Sequence, residues 1–148
     1  MKKLLIAITL ILSLVLSSCS APPSPRDLLT DVTRICGASG ILLLSDAAEN
    51  EDGYADPALL DRIYVTAADL PTDFAILLND RPGFGAECGV FLCRDSSSRR
   101  RAELVLRERM SLIDPDGDCS LLLRSGLILF YSTLPDPDRV KSVWDSVL

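Results

Sequence analysis

Cysteine is the most reactive residue type in this chain, and four cysteines lie in its body. Cys36, Cys88, Cys93 and Cys119 are an even number, so in an oxidising compartment they could form two disulfides, with three possible connectivities. Cys88 and Cys93 have an odd spacing, so on one strand their side chains would point to opposite faces and would not bond to each other. Buried free thiols are the alternative, because cysteine is often a small core residue.

A fifth cysteine, Cys19, lies at the end of an N-terminal apolar segment. Two lysines precede residues 4–16, an almost entirely apolar stretch of 13 residues. This length fits a signal-peptide core and is too short for a stable transmembrane helix of about 20 residues. The sequence Leu-Ser-Ser-Cys at residues 16–19 resembles a lipobox, in which the thiol is diacylated before cleavage. We therefore predict a lipoprotein signal peptide over residues 1–18 and a lipid on Cys19; the alternative is an ordinary secretory signal with an incidental cysteine.

The predicted anchor defines the organisation of the rest of the chain. Residues 19–25 hold the lipidated cysteine and a tether rich in proline and serine, and residues 26–148 are expected to form a single domain. The formal charge is -6, and removal of the two lysines of the signal peptide leaves -8. Such an acidic body argues against nucleic acid and against electrostatic adhesion to anionic lipid. We expect the protein on the extracytoplasmic face of the cell membrane, with the membrane and another envelope protein as partners.

The chain contains no histidine. This absence removes serine or cysteine nucleophiles activated by histidine, zinc sites with histidine ligands, and any imidazole pH switch. No catalytic residue and no cofactor is predicted.

Asp114, Asp116 and Asp118 alternate as the first ligands of a calcium loop do. The loop has Cys119 where such a loop needs glycine, and Ser125 where a bidentate acid should complete the ligand shell. We therefore predict no metal site here, and a turn that ends the preceding helix.

Arginine is concentrated in and around one predicted helix. These residues could bind anionic lipid headgroups or a phosphorylated wall polymer, but Glu103 and Glu108 lie among them, so a solvated helix face is expected. The arginines concerned are Arg94, Arg99, Arg100, Arg101, Arg107 and Arg109. Separately, Gly83-Phe84-Gly85 fits no phosphate-binding spacing and is expected at an exposed hairpin tip that could contact a partner.

The elements that position these residues follow from apolar spacing and capping residues. Helices are predicted to begin at Pro25, Pro57, about Ser97 and Pro137. Strands are predicted over residues 73–78, 87–94, 120–123 and 127–133, whereas residues 41–44 fit either state. The order indicates an α+β fold, with a mostly antiparallel sheet of about four strands, helices packed on it and two N-terminal helices before it. Residues 127–131 are expected at the centre of the sheet, and Trp144 in the core.

Several segments also carry a family resemblance. They are residues 59–65 (LLDRIYV), residues 87–95 (ECGVFLCRD), the amphipathic helix, residues 126–132 and the closing helix. Together, over about residues 56–148, they resemble the bacterial lipoprotein family catalogued as domain of unknown function 4358. The resemblance implies a small tethered protein of Gram-positive anaerobes with no assigned activity, so no functional residues carry over. The cysteines at 88 and 93 and the loop at 82–85 depart from the family pattern.

Three functional hypotheses follow. The first is a non-enzymatic, lipid-tethered envelope domain that binds another envelope component, most simply a protein. The second is an accessory enzyme acting on wall or sugar polymers through acid pairs such as Glu49 with Glu51. The third is a module that binds calcium or lipid headgroups. A pair of Ser39 or Ser125 with Lys141 has no supporting motif.

Overall fold

The computed structural model describes residues 23–80 and 86–148. The predicted signal peptide, Cys19 and the Gly83-Phe84-Gly85 tip lie outside the described residues. Within the two described ranges the chain forms four α-helices and five strands. The helices are α1 (Pro25–Cys36), α2 (Pro57–Ile63), α3 (Ser96–Ile113) and α4 (Pro137–Val147), and a short 3-10 helix covers Ala67–Asp69. The strands are β1 (Ile41–Leu44), β2 (Asp73–Leu78), β3 (Cys88–Leu92), β4 (Leu121–Ser125) and β5 (Ile128–Ser132).

The five strands form one antiparallel sheet in the order β1-β2-β3-β5-β4. The α+β class and the antiparallel sheet are as predicted. The additional strand is β1, the segment whose state the sequence left undecided, and it lies between the two N-terminal helices. β1 pairs with β2, with Ile41 opposite Leu78. A Cβ at Gly40 would lie 2.0 Å from the Leu78 carbonyl oxygen, so only glycine lets the chain approach β2 this closely.

The centre of the sheet is β3, and the prediction that residues 127–131 would occupy it is wrong. All five residues of β5 are buried, but β5 lies between β3 and the edge strand β4. Helices cover both faces of this sheet, so every interior strand is apolar on both sides. A continuous apolar run therefore indicates that a strand is buried on both faces, but it does not indicate where that strand lies in the sheet.

The helices divide into two layers, one on each face of the sheet. On the first face α1 and α4 cover a core that includes Ala75, Leu77, Cys88, Val90 and Phe130. On the second face α3 and α2 cover a core that includes Phe74, Ile76, Phe91, Leu129 and Tyr131. Alternate residues of each strand thus enter different cores, as the period of two in a strand requires.

Capping residues hold the helix ends where the sequence places them. Ser24 accepts a hydrogen bond from the Asp27 N–H at the start of α1, and Asp136 accepts one from the Arg139 N–H at the start of α4. On α4, Trp144 is 1% exposed and stacks on Phe130 with ring centroids 4.6 Å apart, which confirms its place in the core.

Replacing Trp144 tests this packing. Trp144→Ala removes the largest buried side chain of the first core, and we expect the free energy of unfolding to fall by about 3–5 kcal/mol. Denaturant unfolding followed by circular dichroism measures the change. Val65→Ala is the control, because Val65 is 65% exposed and its loss should change stability by no more than about 0.5 kcal/mol. Equal losses in the two variants would contradict the packing described here.

Candidate functional site: a buried glutamate network

The most unusual polar group of the described residues is the carboxylate of Glu87. This residue directly precedes β3 and is 4% exposed. Its backbone is fixed against the end of β5, because the Thr133 N–H donates to the Glu87 carbonyl oxygen at 2.8 Å and the Glu87 N–H donates to Thr133 Oγ1 at 3.0 Å. The side chain therefore enters the second core from a rigid position.

Arg109 on α3 pairs with this carboxylate in a bidentate arrangement. Its Nε donates to Glu87 Oε1 at 2.9 Å, and its Nη2 donates to Oε2 at 2.7 Å. The hydrogen bond with Glu87 raises the pKa of the Arg109 guanidinium, so this partner keeps its charge. Arg109 Nη1 also donates to the Ile63 carbonyl oxygen at 3.4 Å, which links the pair to the end of α2.

Two buried tyrosines complete the network. The Tyr131 hydroxyl donates to Glu87 Oε1 at 2.8 Å, and the hydroxyl oxygens of Tyr131 and Tyr64 lie 2.8 Å apart. Tyr131 has one hydroxyl proton and gives it to the carboxylate, so Tyr64 must be the donor to Tyr131. Burial is the main cause that raises the pKa of both phenols, and the Glu87 charge adds to it. Both tyrosines therefore stay protonated at neutral pH.

A glycine makes room for this arrangement. Gly89 lies opposite Tyr131 in the sheet, and a Cβ at position 89 would lie 2.6 Å from Tyr131 Cε1 and 3.2 Å from Phe91 Cε2. The Tyr131 ring cannot move away easily, because its hydroxyl is held by Glu87. The small residue at 89 is thus a requirement of the network.

The network connects β3, β5, α3 and the end of α2, and each of its members has a partner. The carboxylate accepts three hydrogen bonds and faces a cation, an arrangement that compensates the cost of burying its charge. This geometry suits a clamp between a helix and a sheet better than a proton-transfer site. The expectation that Arg109 lies on a solvated helix face is wrong, because Arg109 is partly buried against Glu87. A signal was present, because Arg109 follows Val105 by four residues and so extends the apolar side of α3.

Three further arginines, two on α3 and one on β4, also bind acids. Arg99 and Arg124 approach Glu103 at 3.5 Å and 2.6 Å, and Arg101 approaches Asp69 at 3.4 Å. Arg99 and Glu103 thus pair one turn apart on α3, and the expectation that Glu103 lies on a solvated helix face is wrong, because Glu103 is 9% exposed. The edge strand β4 supplies Arg124, which covers that carboxylate from the side.

The four cysteines of the domain are free thiols in different surroundings. Cys88 lies in the first core and Cys93 in the second, so the predicted opposite orientation is confirmed. Burial raises the pKa of Cys93 to about 11 and that of Cys88 further. Both are protonated, weakly nucleophilic thiols at neutral pH. Disulfide formation among the four cysteines stays a prediction.

The acidic loop after α3 is a turn. Asp114 Oδ2 accepts hydrogen bonds from the Cys119 N–H and the Ser120 hydroxyl, each at 2.9 Å, and these bonds lower the pKa of Asp114. Asp116 and Asp118 are exposed. Across residues 23–80 and 86–148 no group of three or more acids or cysteines is arranged to hold a metal ion.

Two of the grooves on the described surface lie near the cysteines and arginines considered above. One of about 280 Å³ lies at the end of α1 and is lined by Cys36, Ser39, Asn79, Ala86 and Leu134, among others. The other, of about 380 Å³, is lined by Arg94, Arg101, Asp69 and Asp95 at the start of α3. Asp95 already accepts hydrogen bonds from the N–H groups of Ser97 and Ser98, so the helix N-terminus is occupied by its own cap.

The remaining acid and lysine candidates are separate from both grooves. Glu49 and Glu51 lie in an exposed loop, where Glu51 accepts a hydrogen bond from the Ala48 N–H. Lys141 pairs with Asp145 one turn along α4. The structure therefore gives these residues local roles.

Removing the carboxylate tests the clamp. Glu87→Ala leaves Arg109 and the Tyr131 hydroxyl without their shared acceptor, and we expect the free energy of unfolding to fall by about 3–5 kcal/mol. The control is Asp145→Ala, which breaks an ion pair whose side chains are 52% and 56% exposed and should cost only about 0.5 kcal/mol. A Glu87→Ala variant as stable as the control would show that the network does not stabilise the fold.

The thiol of Cys93 gives the domain a predictable response to alkali. The pKa is about 11 in the folded state against an ordinary 9.0, so the stabilising contribution is complete below pH 9 and is lost as pH rises to 11. In this window the unfolded chain releases the proton first, and each such thiol lowers stability by about 1.4 kcal/mol per pH unit. The free energy of unfolding of the reduced protein should thus fall less steeply with pH in Cys93→Ala than in the exposed control Ser142→Ala. Equal slopes in the two variants would refute this prediction.

Comparison of the chain with protein-family models, with curated proteins and with solved structures found no match. In the described part of the chain no helix has the length and apolar character needed to cross a bilayer. The function must therefore be inferred from the residues themselves.

Proposed function

We propose that this protein is a bacterial lipoprotein, anchored on the extracytoplasmic face of the cell membrane by lipid on Cys19. The observation that carries the proposal is the order of a positive start, a short apolar core and Leu-Ser-Ser-Cys at residues 16–19. Diacylation of the thiol would give the two acyl chains that stable anchoring needs.

The start of the folded domain is compatible with such an anchor. Helix α1 begins at Pro25, so only residues 20–24 separate it from Cys19. An extended segment of this length reaches about 20 Å. The domain would sit close to the membrane surface without entering it. The resemblance to the lipoprotein family of residues 59–65 and 87–95 is part of this proposal.

The role proposed for the domain is non-enzymatic binding to another envelope protein. Its buried acids, Glu87 and Glu103, are paired with arginines, and its core thiols are protonated, so these buried groups stabilise the fold. The outer side of α3 instead presents Leu104 and Leu112, which are 69% and 63% exposed and lie two turns apart on one face. Apolar side chains with this helical spacing and charged neighbours suit contact with a protein groove.

The anchor is tested by replacing the cysteine. In a host that processes lipoproteins, Cys19→Ala should lose incorporation of a labelled fatty acid and accumulate as a precursor that keeps residues 1–18. Cys119→Ala, which changes a cysteine in the domain, should keep both the label and the processing. A Cys19→Ala variant that still carries lipid and still fractionates with membranes would refute the proposal.

The binding surface is tested by site-specific crosslinking in the same host. A photoreactive residue at position 104 or 112 should capture one defined envelope protein, identified by mass spectrometry, whereas the same residue at Lys141 on α4 should not. Adding Leu112→Asp to the position-104 probe should reduce the yield at least tenfold, because it places a charge in the apolar contact. Equal capture from the α3 and α4 positions, or no capture from either α3 position, would contradict a specific surface on α3.

A further inference from the structure

Cys36 and Cys88 lie on the same side of the sheet. Cys36 is the last residue of α1, whose Leu28, Leu29 and Val32 are buried in the first core. Cys88 is a member of that core, and Cys36 packs against it at the edge. The two thiols thus belong to one helix and one strand that are in direct contact.

The sheet register places Cys36 over the end of β3 that carries Cys88. Cys88 pairs with Leu77 on one side and Ser132 on the other. Cys36 lines its groove together with Asn79, Ala86 and Leu134. Each of these three residues lies two positions beyond Leu77, Cys88 or Ser132, just past the end of its strand. Cys36 therefore lies at the end of the sheet where β3 begins with Cys88.

The electrostatics agree with this placement. Apart from burial, the charge of an ionised Cys36 is the largest cause that raises the pKa of Cys88, ahead of the neighbouring Glu87. This ranking agrees with the placement of both thiols on one side of the sheet.

The other two cysteines are positioned differently. Cys93 lies in the second core and directly follows Leu92, at the end of β3 opposite to Cys88. Cys119 lies just before β4, which is separated from β3 by β5. Two strand spacings amount to about 10 Å, beyond the Cα separation of about 4.4–6.8 Å that a disulfide spans. Cys93 and Cys119 are also at opposite ends of the sheet, so they cannot bond to each other.

We propose that Cys36 and Cys88 form an intramolecular disulfide that joins the end of α1 to the central strand, and that Cys93 and Cys119 stay thiols. Four cysteines could form two disulfides. The proposal assigns the bond between Cys36 and Cys88 and excludes one between Cys93 and Cys119. The proposal is independent of the lipid anchor.

The chemistry needs a disulfide oxidant, either a small disulfide or an oxidised dithiol protein. Cys36 is half-buried in an open groove, so its thiolate can attack one sulfur of the oxidant and release one thiolate. The Cys88 thiol then gives its proton to a released thiolate, and its sulfur attacks Cys36 Sγ and displaces the second thiol of the oxidant. Two protein thiols become one disulfide, and one oxidant disulfide becomes two thiols.

The test uses the full chain, purified in detergent under reducing conditions. After the reductant is removed, the protein is incubated with oxidised glutathione at mildly alkaline pH, its remaining thiols are alkylated, and it is digested with trypsin. Cys36 lies in the tryptic peptide 35–62, Cys119 lies in 110–124, and Cys88 shares 63–94 with Cys93, because trypsin does not cut Arg81 before Pro82. We expect two thiols to be lost, peptides 35–62 and 63–94 to be linked, and fragmentation to place the link on Cys88.

Matched variants give an independent assignment. Cys93→Ser should keep the linked peptides, whereas Cys88→Ser and Cys36→Ser should each lose them. The fragmentation result on the unchanged chain does not depend on whether the buried variants fold. A link that involves Cys93 or Cys119 would overturn the proposal. So would four fully alkylated thiols in the folded protein when the same chain, unfolded in urea, is readily oxidised.

Discussion

The carboxylate of Glu87 imposes the strictest condition on this domain, because it is almost completely buried between a helix and a sheet and is paired there with Arg109. Removing such a charge from water costs several kcal/mol unless a partner and hydrogen bonds replace the solvent. Arg109 supplies the partner, and the Tyr131 hydroxyl supplies a further donor. Position 89 then has to be glycine, because a Cβ there would collide with the Tyr131 ring. One buried charge thus determines the residues allowed at several positions of the second core.

The first core is organised on a different principle. Among the described residues that form it no ion pair is buried, and it depends on close packing of α1 and α4 against the sheet, with Trp144 stacked on Phe130. The two faces of the sheet should therefore tolerate different kinds of side-chain substitution. Apolar exchanges of similar volume suit the first face, whereas changes that break the Glu87 network leave a buried charge uncompensated on the second. The proposed bond from Cys36 to Cys88 would add a covalent connection to this first face, whose ion pair between Arg26 and Asp46 is exposed.

Local features of the fold were readable from the sequence, and longer-range ones were not. Proline after a capping residue located the starts of α1, α2 and α4, and apolar periodicity located most strands, because both depend on neighbouring residues. The strand order could not be read, because pairing between β3 and β5 depends on contacts across the chain. The clamp was missed for the same reason, since Glu87 and Arg109 are 22 residues apart and each alone resembles a solvated charge. The short β1 was undecidable because its state depends on pairing with β2.

A double-mutant cycle on Glu87 and Arg109 tests the central claim most directly. The unfolding free energies of the unchanged chain, Glu87→Gln, Arg109→Met and the double variant together give the coupling energy between the two side chains. A buried bidentate pair predicts a coupling of about 2–3 kcal/mol, with the double variant much more stable than the sum of the single losses implies. A coupling near zero would mean that the two groups do not depend on each other and would contradict the account of how α3 is held to the sheet.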